Sequence, residues 1–349
     1  MLVKSILVPP LVLVSGCGWF RTPLDDPSVT DAGIPCATGS FSLVRAEPTV
    51  MLVLDRSQSM ATAMEPGAKL PTRWDALSSA LGSVLPPVDK TMAIGALIFP
   101  KATSTSGKLD CSVASEVSLR PAKGNVAALT RLMGATLPGG GTPTAVAIDT
   151  AARFLLGLRT ATAARALVLA TDGGPNCNRR LDATTCRCTS LPTPGTNTCV
   201  ERSQCLDDAS TERTISEYQS QELPTYVIGI ETEGDPEFSD VLDAMAVAGG
   251  RPQVGATQSY YAASSEAALN AALTTIRNQV GSCTYLTSSV PDPNGSIVVS
   301  IDGVELAPDQ WMWGDRNNGE IILQGDACQT AAIENAPALR AVVECTGSE

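Results

Sequence analysis

Continuous apolar runs, separated by stretches with apolar residues at helical spacing, organise most of the chain. Thr49-Val50-Met51-Leu52-Val53-Leu54 shows no alternation and ends at Asp55, which predicts a strand buried on both faces of a parallel sheet. Ala166-Leu167-Val168-Leu169-Ala170-Thr171 ends in the same way, at Asp172. Residues 92–99 and 225–230 read as further strands, 113–119 as a short edge strand and 258–262 as a weak one. Helices are predicted over 73–85, 125–133, 144–158, 209–220, 237–248 and 266–280. The third of these places Ala147, Ile148, Ala151, Leu155 and Leu158 on one face. Such alternation predicts an α/β fold over residues 47–280: a doubly wound, mostly parallel sheet flanked by helices.

Beyond residue 280 the pattern changes. Ile297-Val298-Val299-Ser300-Ile301 and Val304-Glu305-Leu306 flank Asp302-Gly303, a hairpin signal. With further strands expected at 319–323 and 339–345, residues 281–349 form a small β-rich C-terminal unit. At the other end, Lys4, the apolar stretch 6–14 and Ser15-Gly16-Cys17 predict an export signal too short to span a bilayer. Val14-Ser15-Gly16-Cys17 resembles a bacterial lipobox, which implies a signal peptide over 1–16 and lipidation at Cys17. The expected location is therefore the outside of a bacterial membrane, held through a lipid anchor. Gly18 after the cysteine favours the outer membrane. Residues 17–46 are expected to be a lipidated tether and lead-in, because 18–35 is rich in Pro, Gly and Asp and has no periodicity.

Charge and composition narrow the function. With 24 basic against 36 acidic residues the net charge is −12, which excludes nucleic acid as the expected partner. The absence of histidine excludes Ser-His-Asp and Cys-His catalysis. No Gly-x-x-x-x-Gly-Lys-[Ser/Thr] segment occurs, so the chain has no P-loop. Of eleven cysteines, ten remain once Cys17 is set aside, and an even number in an exported chain predicts disulfides rather than zinc. Cys177, Cys186, Cys188, Cys199 and Cys205 lie in the irregular segment 174–208, an insertion that leaves the sheet directly after Asp172. Together with Cys111 they are expected to form three disulfides that pin a cap beside the site and select the partner. Cys36 with Cys283, and Cys328 with Cys345, are the remaining expected pairs.

Candidate chemistry gathers at strand ends. Asp55, Ser57 and Ser59 stand in DRSQS, Thr142 follows Gly139-Gly140-Gly141, and Asp172 precedes Gly173-Gly174. Open α/β sheets hold ligands beyond the carboxyl ends of their strands, where these segments meet. Pro143 suits the first position of a helix, and the three glycines permit close backbone approach to a ligand. Taken singly, the serines read as turn residues, Thr142 as a helix cap and Asp172-Gly173 as a turn. As a set they offer three hydroxyls and two carboxylates, an oxygen-only shell that suits Mg2+ first and Ca2+ or Mn2+ next.

These residues resemble the metal-ion-dependent adhesion site of the von Willebrand factor A-type domain, whose pattern is Asp-x-Ser-x-Ser, then Thr, then Asp. Asp55, Ser57, Ser59, Thr142 and Asp172 match it in order, and Gln58 departs from the Gly often found there. The resemblance spans about residues 47–280. It implies a binding protein rather than an enzyme, whose cation captures a carboxylate of a protein or glycan partner. A structural envelope protein with a merely stabilising metal is the alternative. A haloacid dehalogenase-type phosphatase is disfavoured because Ser57 stands where its second Asp, the proton donor, is required.

Overall fold

Seven consecutive buried residues, Thr49–Asp55, form the central strand of a computed structural model of the protein. The structure describes residues 34–346, apart from 66, 102–109, 159–163, 191–197, 231–235, 254, 282, 315, 318 and 333–337. The expected signal peptide, Cys17 and residues 18–33 of the tether lie outside the described residues.

In chain order the strands β1 (Gly39–Ser42) and β2 (Val44–Arg45) precede the central strand, β3. Helix α1 (Arg73–Val84), strands β4 (Ala93–Phe99) and β5 (Leu119–Ala122), and helices α2 (Val126–Gly134) and α3 (Thr144–Leu156) follow. Next come β6 (Arg165–Thr171), α4 (Asp208–Gln219), β7 (Thr225–Gly229), α5 (Pro236–Ala248), β8 (Tyr261–Ala262) and α6 (Glu266–Gly281). The chain continues through β9 (Thr284–Leu286), β10 (Ser296–Ile301), β11 (Val304–Glu305), β12 (Trp311–Trp313), β13 (Glu320–Leu323), α7 (Gly325–Ala332) and β14 (Leu339–Glu344).

A six-stranded sheet of order β5-β4-β3-β6-β7-β8 is parallel except at β5. The two faces of β3 explain its unbroken apolar run. Val50, Leu52 and Leu54 pack with Leu77 and Leu81 of α1, Leu129 of α2 and Leu273 of α6. Met51 and Val53 join Ala147 and Ile148 of α3, Ile215 of α4 and Leu242 of α5 on the other face. At roughly 1.5–3 kcal/mol for each large apolar side chain buried, this two-sided core fixes the register of β3. The doubly wound architecture expected from the sequence is present, with α1 to α6 close to their expected bounds, whereas α7, within the region expected to be β-rich, has no expected counterpart.

The expected edge strand at 113–119 is displaced: β5 begins at Leu119 and pairs antiparallel with β4 through an irregular register. Val117 is instead buried against the sheet, and the Ser118 hydroxyl accepts the Ile98 N–H at 2.9 Å in place of a ladder bond. Pro121 is tolerated because β5 is an edge strand, and Gly95 makes room for it, since a Cβ there would lie 2.6 Å from the proline ring. The weak strand expected at 258–262 contracts to β8. Pro143 does not open α3 but precedes it, its carbonyl accepting the Ala147 N–H at 3.1 Å.

Two antiparallel four-stranded sheets, β1-β14-β10-β11 and β12-β13-β9-β2, make up the β-rich unit around Tyr285, Val299, Ile321, Leu323 and Ala341. The lead-in to β3 therefore supplies β1 and β2 to this unit. That pairing corrects two expected disulfides. β1 runs antiparallel to β14 with Gly39 opposite Val343, so Cys36 meets Cys345 at the end of the ladder. Cys283 precedes β9, which pairs with β13, and the helix after β13 carries its actual partner, Cys328. Among the described residues no helix is long and apolar enough to cross a membrane.

Candidate functional site

Parallel register sets the carboxyl ends of β3 and β6 side by side. Leu54 pairs with Ala170, so Asp55 closes β3 beside Thr171, and Asp172 follows one residue on. A 3-10 turn over Gln58–Ala61 carries the serine pair back over these ends. A continuous polar chain results. The Thr171 hydroxyl donates to Asp55 Oδ2 at 2.7 Å and the Ser57 N–H donates to Asp55 Oδ1 at 2.7 Å. Ser57 Oγ lies 3.0 Å from Ser59 Oγ, and Ser59 Oγ donates to Asp172 Oδ1 at 2.7 Å. On the far side of Asp172, Arg73 Nη1 donates to Oδ2 at 2.6 Å.

Both carboxyl groups are buried, and burial pushes both up from the ordinary carboxylate range. Asp55 is raised to about 7, by burial first and then by the charge of Asp172. At Asp172 the effect of burial is opposed by the Arg73 charge and by the bonds from Arg73 and Ser59. Two buried carboxylates that repel one another form a place where a positive charge is strongly favoured.

A cleft of about 470 Å3 opens above them, lined by Ser57, Ser59, Arg73, Thr142 and Asp172 among others. Asp55 lies beneath it, fully buried. Of the five residues singled out in the sequence, four thus join one hydrogen-bonded chain and the fifth, Thr142, lines the same cleft. Its position is fixed by Asn176, whose side-chain oxygen accepts the Thr142 N–H at 2.7 Å and whose N–H donates to the Thr142 carbonyl at 2.8 Å. The donor set therefore fits a hard divalent cation. Ser57, Ser59 and Thr142 would offer hydroxyls and Asp55 and Asp172 carboxylates; the chain has no imidazole, and the ten cysteines among the described residues are all in disulfides, so no softer ligand is offered there. Such an ion would supply an electrophilic point for an acidic guest.

The glycines before Thr142 also make room for neighbouring protein. A Cβ at Gly140, which has φ +92°, would lie 2.7 Å from Pro100 and 2.8 Å from the Asp110 carbonyl. At Gly141 it would lie 2.5 Å from the Cys177 sulfur. Gly140 and Gly141 therefore admit the neighbouring loop and a disulfide while also lining the cleft. That disulfide, Cys111–Cys177, with Cys186–Cys205 and Cys188–Cys199, makes up the expected cap grouping. Asn176, Thr189, Ser190 and Gln204 of the cap segment line the cleft.

Sequence reasoning missed Arg73, Arg56, Thr171 and Asn176. A signal existed for Arg73: Thr72 and Asp75 form a capping box, with the Asp75 N–H donating to Thr72 Oγ1 and the Thr72 N–H to Asp75 Oδ2, each at 3.1 Å. That box starts α1 at Arg73, beside the site. Arg56 is buried; its Nε donates to the Pro100 carbonyl at 2.7 Å and its Nη1 to the Leu137 carbonyl at 2.6 Å. Its backbone also bonds Phe99 and Gly139, so one residue ties β3 to two neighbouring loops.

No protein-family model matches the sequence, and no curated protein matches it. Solved structures with a similar fold include the PilB minor pilin from Streptococcus sanguinis, at 16% identity and a TM-score of 0.45 over 68% of this chain and 62% of that one. The pilus adhesin SpaC from Lactobacillus rhamnosus GG in its open conformation is 12% identical, with a TM-score of 0.49 over 88% of this chain and 39% of that one. The von Willebrand factor domain of the type V pili tip protein Mfa5 from Porphyromonas gingivalis is 12% identical, with a TM-score of 0.42 over 67% of this chain and 94% of that one. The chain thus spans less than two thirds of the PilB and SpaC chains.

Proposed function

We propose that this protein binds an acidic group of a protein or glycan partner through a divalent cation held by Asp55, Ser57, Ser59, Thr142 and Asp172. Mg2+ is the first choice, with Ca2+ or Mn2+ as substitutes. The reading is of a binding protein, exported and anchored at a bacterial surface by lipid on Cys17, and not of an enzyme. One observation carries it: two buried, mutually repelling carboxyl groups are joined through serine hydroxyls at the base of a cleft open to solvent.

The test is affinity capture from the native cell surface by the domain lacking its signal, in Mg2+, Ca2+ and EDTA, beside calorimetric titration of the metals. Capture that requires the metal and disappears in Asp172→Asn is expected. Capture equal in EDTA, or heat-silent titrations of all three metals, would overturn the reading.

A further inference from the structure

A second groove lies beside the metal cleft and shares Asn176 with it as a lining residue. It has a volume of about 520 Å3 and runs between the N-terminal turn of α3 and the start of the cap. Among the described residues its charged side chains are Arg179, Arg180, Arg213 and Asp207, three cations to one anion in a chain whose net charge is −12. The anion is partly spent, since Asp207 is buried and accepts a bond from the Asn178 amide at 2.7 Å. Arg213 faces Asp207 and lies 4.0 Å from Glu217. Arg179 and Arg180 are exposed and form no ion pair with any described residue.

The groove is built to keep that shape. Both arginines sit on the turn that follows Cys177, whose left-handed backbone (φ +77°) is held by the disulfide to Cys111 and by its N–H bond to the Ser203 carbonyl. The Arg180 N–H donates to Asn178 Oδ1 within the same turn. The lining also includes apolar Pro143, Ala145 and Val146, the last 54% exposed. An exposed valine beside two uncommitted guanidinium groups fits a guest that alternates apolar and acidic side chains, because guanidinium binds carboxylate through paired N–H bonds. Among the described residues no aromatic ring lines the groove, so these residues offer no flat face on which a sugar ring could stack.

We propose that this groove is the second half of a composite recognition surface, taking the acidic and apolar side chains of a peptide whose leading carboxylate enters the metal cleft. The inference rests on the metal-binding reading above and adds the partner's class, an acidic peptide. Asn176 couples the halves: it fixes Thr142 on one side and, through its amide to Thr189 Oγ1 at 2.9 Å, the cap on the other.

The probe is a fluorescein-labelled peptide of alternating Glu and Val, followed by anisotropy at physiological ionic strength in Mg2+ and in EDTA, with Mg2+ affinity read separately by calorimetry. Wild type is expected to bind it in Mg2+. The double variant Arg179→Glu/Arg180→Glu should bind roughly tenfold more weakly, as expected for losing two exposed charge pairs, while its Mg2+ affinity is unchanged. Equal binding by wild type and the double variant would overturn the proposal, as would wild-type binding of polygalacturonate but not of the peptide. Binding indifferent to EDTA yet lost on charge reversal would support the groove and sink the metal reading, so the two failures are distinguishable.

Discussion

Arg73 and Asp172 form a buried ion pair at 2.6 Å, the arginine side chain 12% exposed and the aspartate 0%. The carboxylate that the sequence assigns to a cation is thus held by a cation of the protein's own. Arg73 and a divalent ion would make overlapping demands on Asp172, and each would weaken the other's hold.

Replacing Arg73 by Gln should separate those demands. In EDTA the variant leaves Asp172 buried without its partner and should lose about 3–5 kcal/mol of stability. In Mg2+ much of that loss should be recovered, and the variant should bind Mg2+ more tightly than wild type. Thermal unfolding in both conditions and calorimetry check this; equal Mg2+ affinity in the two proteins would refute the competition.

Asp55→Asn tests the other carboxyl. Asp55 is fully buried with its pKa raised to about 7, so its charged form costs the fold stability at neutral pH. The amide keeps an oxygen for the Ser57 N–H, and the Thr171 hydroxyl can turn to accept from the new NH2 group. The variant should therefore fold at least as stably as wild type in EDTA. Saturating Mg2+ should stabilise wild type by about 2.7 kcal/mol at a hundredfold excess over Kd and leave the variant unmoved. A matching upward shift of Tm in Asp55→Asn would show that the metal sits elsewhere.

The doubly wound sheet was legible because β3, β4, β6 and β7 are buried on both faces, and two-sided burial writes unbroken apolar runs. β1 and β2 left no such mark. They are four and two residues long, half-exposed or exposed, and β1 owes its existence to β14, some three hundred positions away. The same distance hid the Cys36–Cys345 pair, whereas the cap cysteines were readable as a group because they crowd one face. Within the site, Asp55, Ser57, Ser59 and Asp172 were visible through their place at strand ends, and Thr142 through the glycines that precede it and the proline that follows. Arg73 was not, since an arginine opening a helix is ordinary until the fold sets it against Asp172.

Removal of the Cys111–Cys177 disulfide should loosen the wall shared by both grooves. It closes a loop of 66 residues, which the chain-entropy model values at about 4 kcal/mol. Cys111→Ser/Cys177→Ser should lower the urea midpoint accordingly and expose the cap to protease before the sheet unfolds. Cleavage at the same rate as wild type would show that the other two cap disulfides suffice.

Arg56 separates positioning from coordination. Its guanidinium satisfies the carbonyls of Pro100 and Leu137, on the loops that flank the site from two directions, and its backbone bonds Phe99 and Gly139. In Arg56→Met the buried stem is preserved and both carbonyls lose their donor; at roughly 1–3 kcal/mol for a buried polar group left unpaired, the cost should be about 1–3 kcal/mol, set mainly by the Pro100 carbonyl because Pro100 is buried and Leu137 is exposed. Because Gly140 accepts the Gln58 N–H at 3.1 Å, relaxation of the Leu137 loop should also move the serine turn and weaken Mg2+ binding. Arg56→Lys, which can reach one carbonyl at a time, should fall between the two. Calorimetry beside urea unfolding resolves the matter: a variant destabilised with unaltered Mg2+ affinity would assign Arg56 to the fold, and a parallel loss of both would place the geometry of the serine turn under its control.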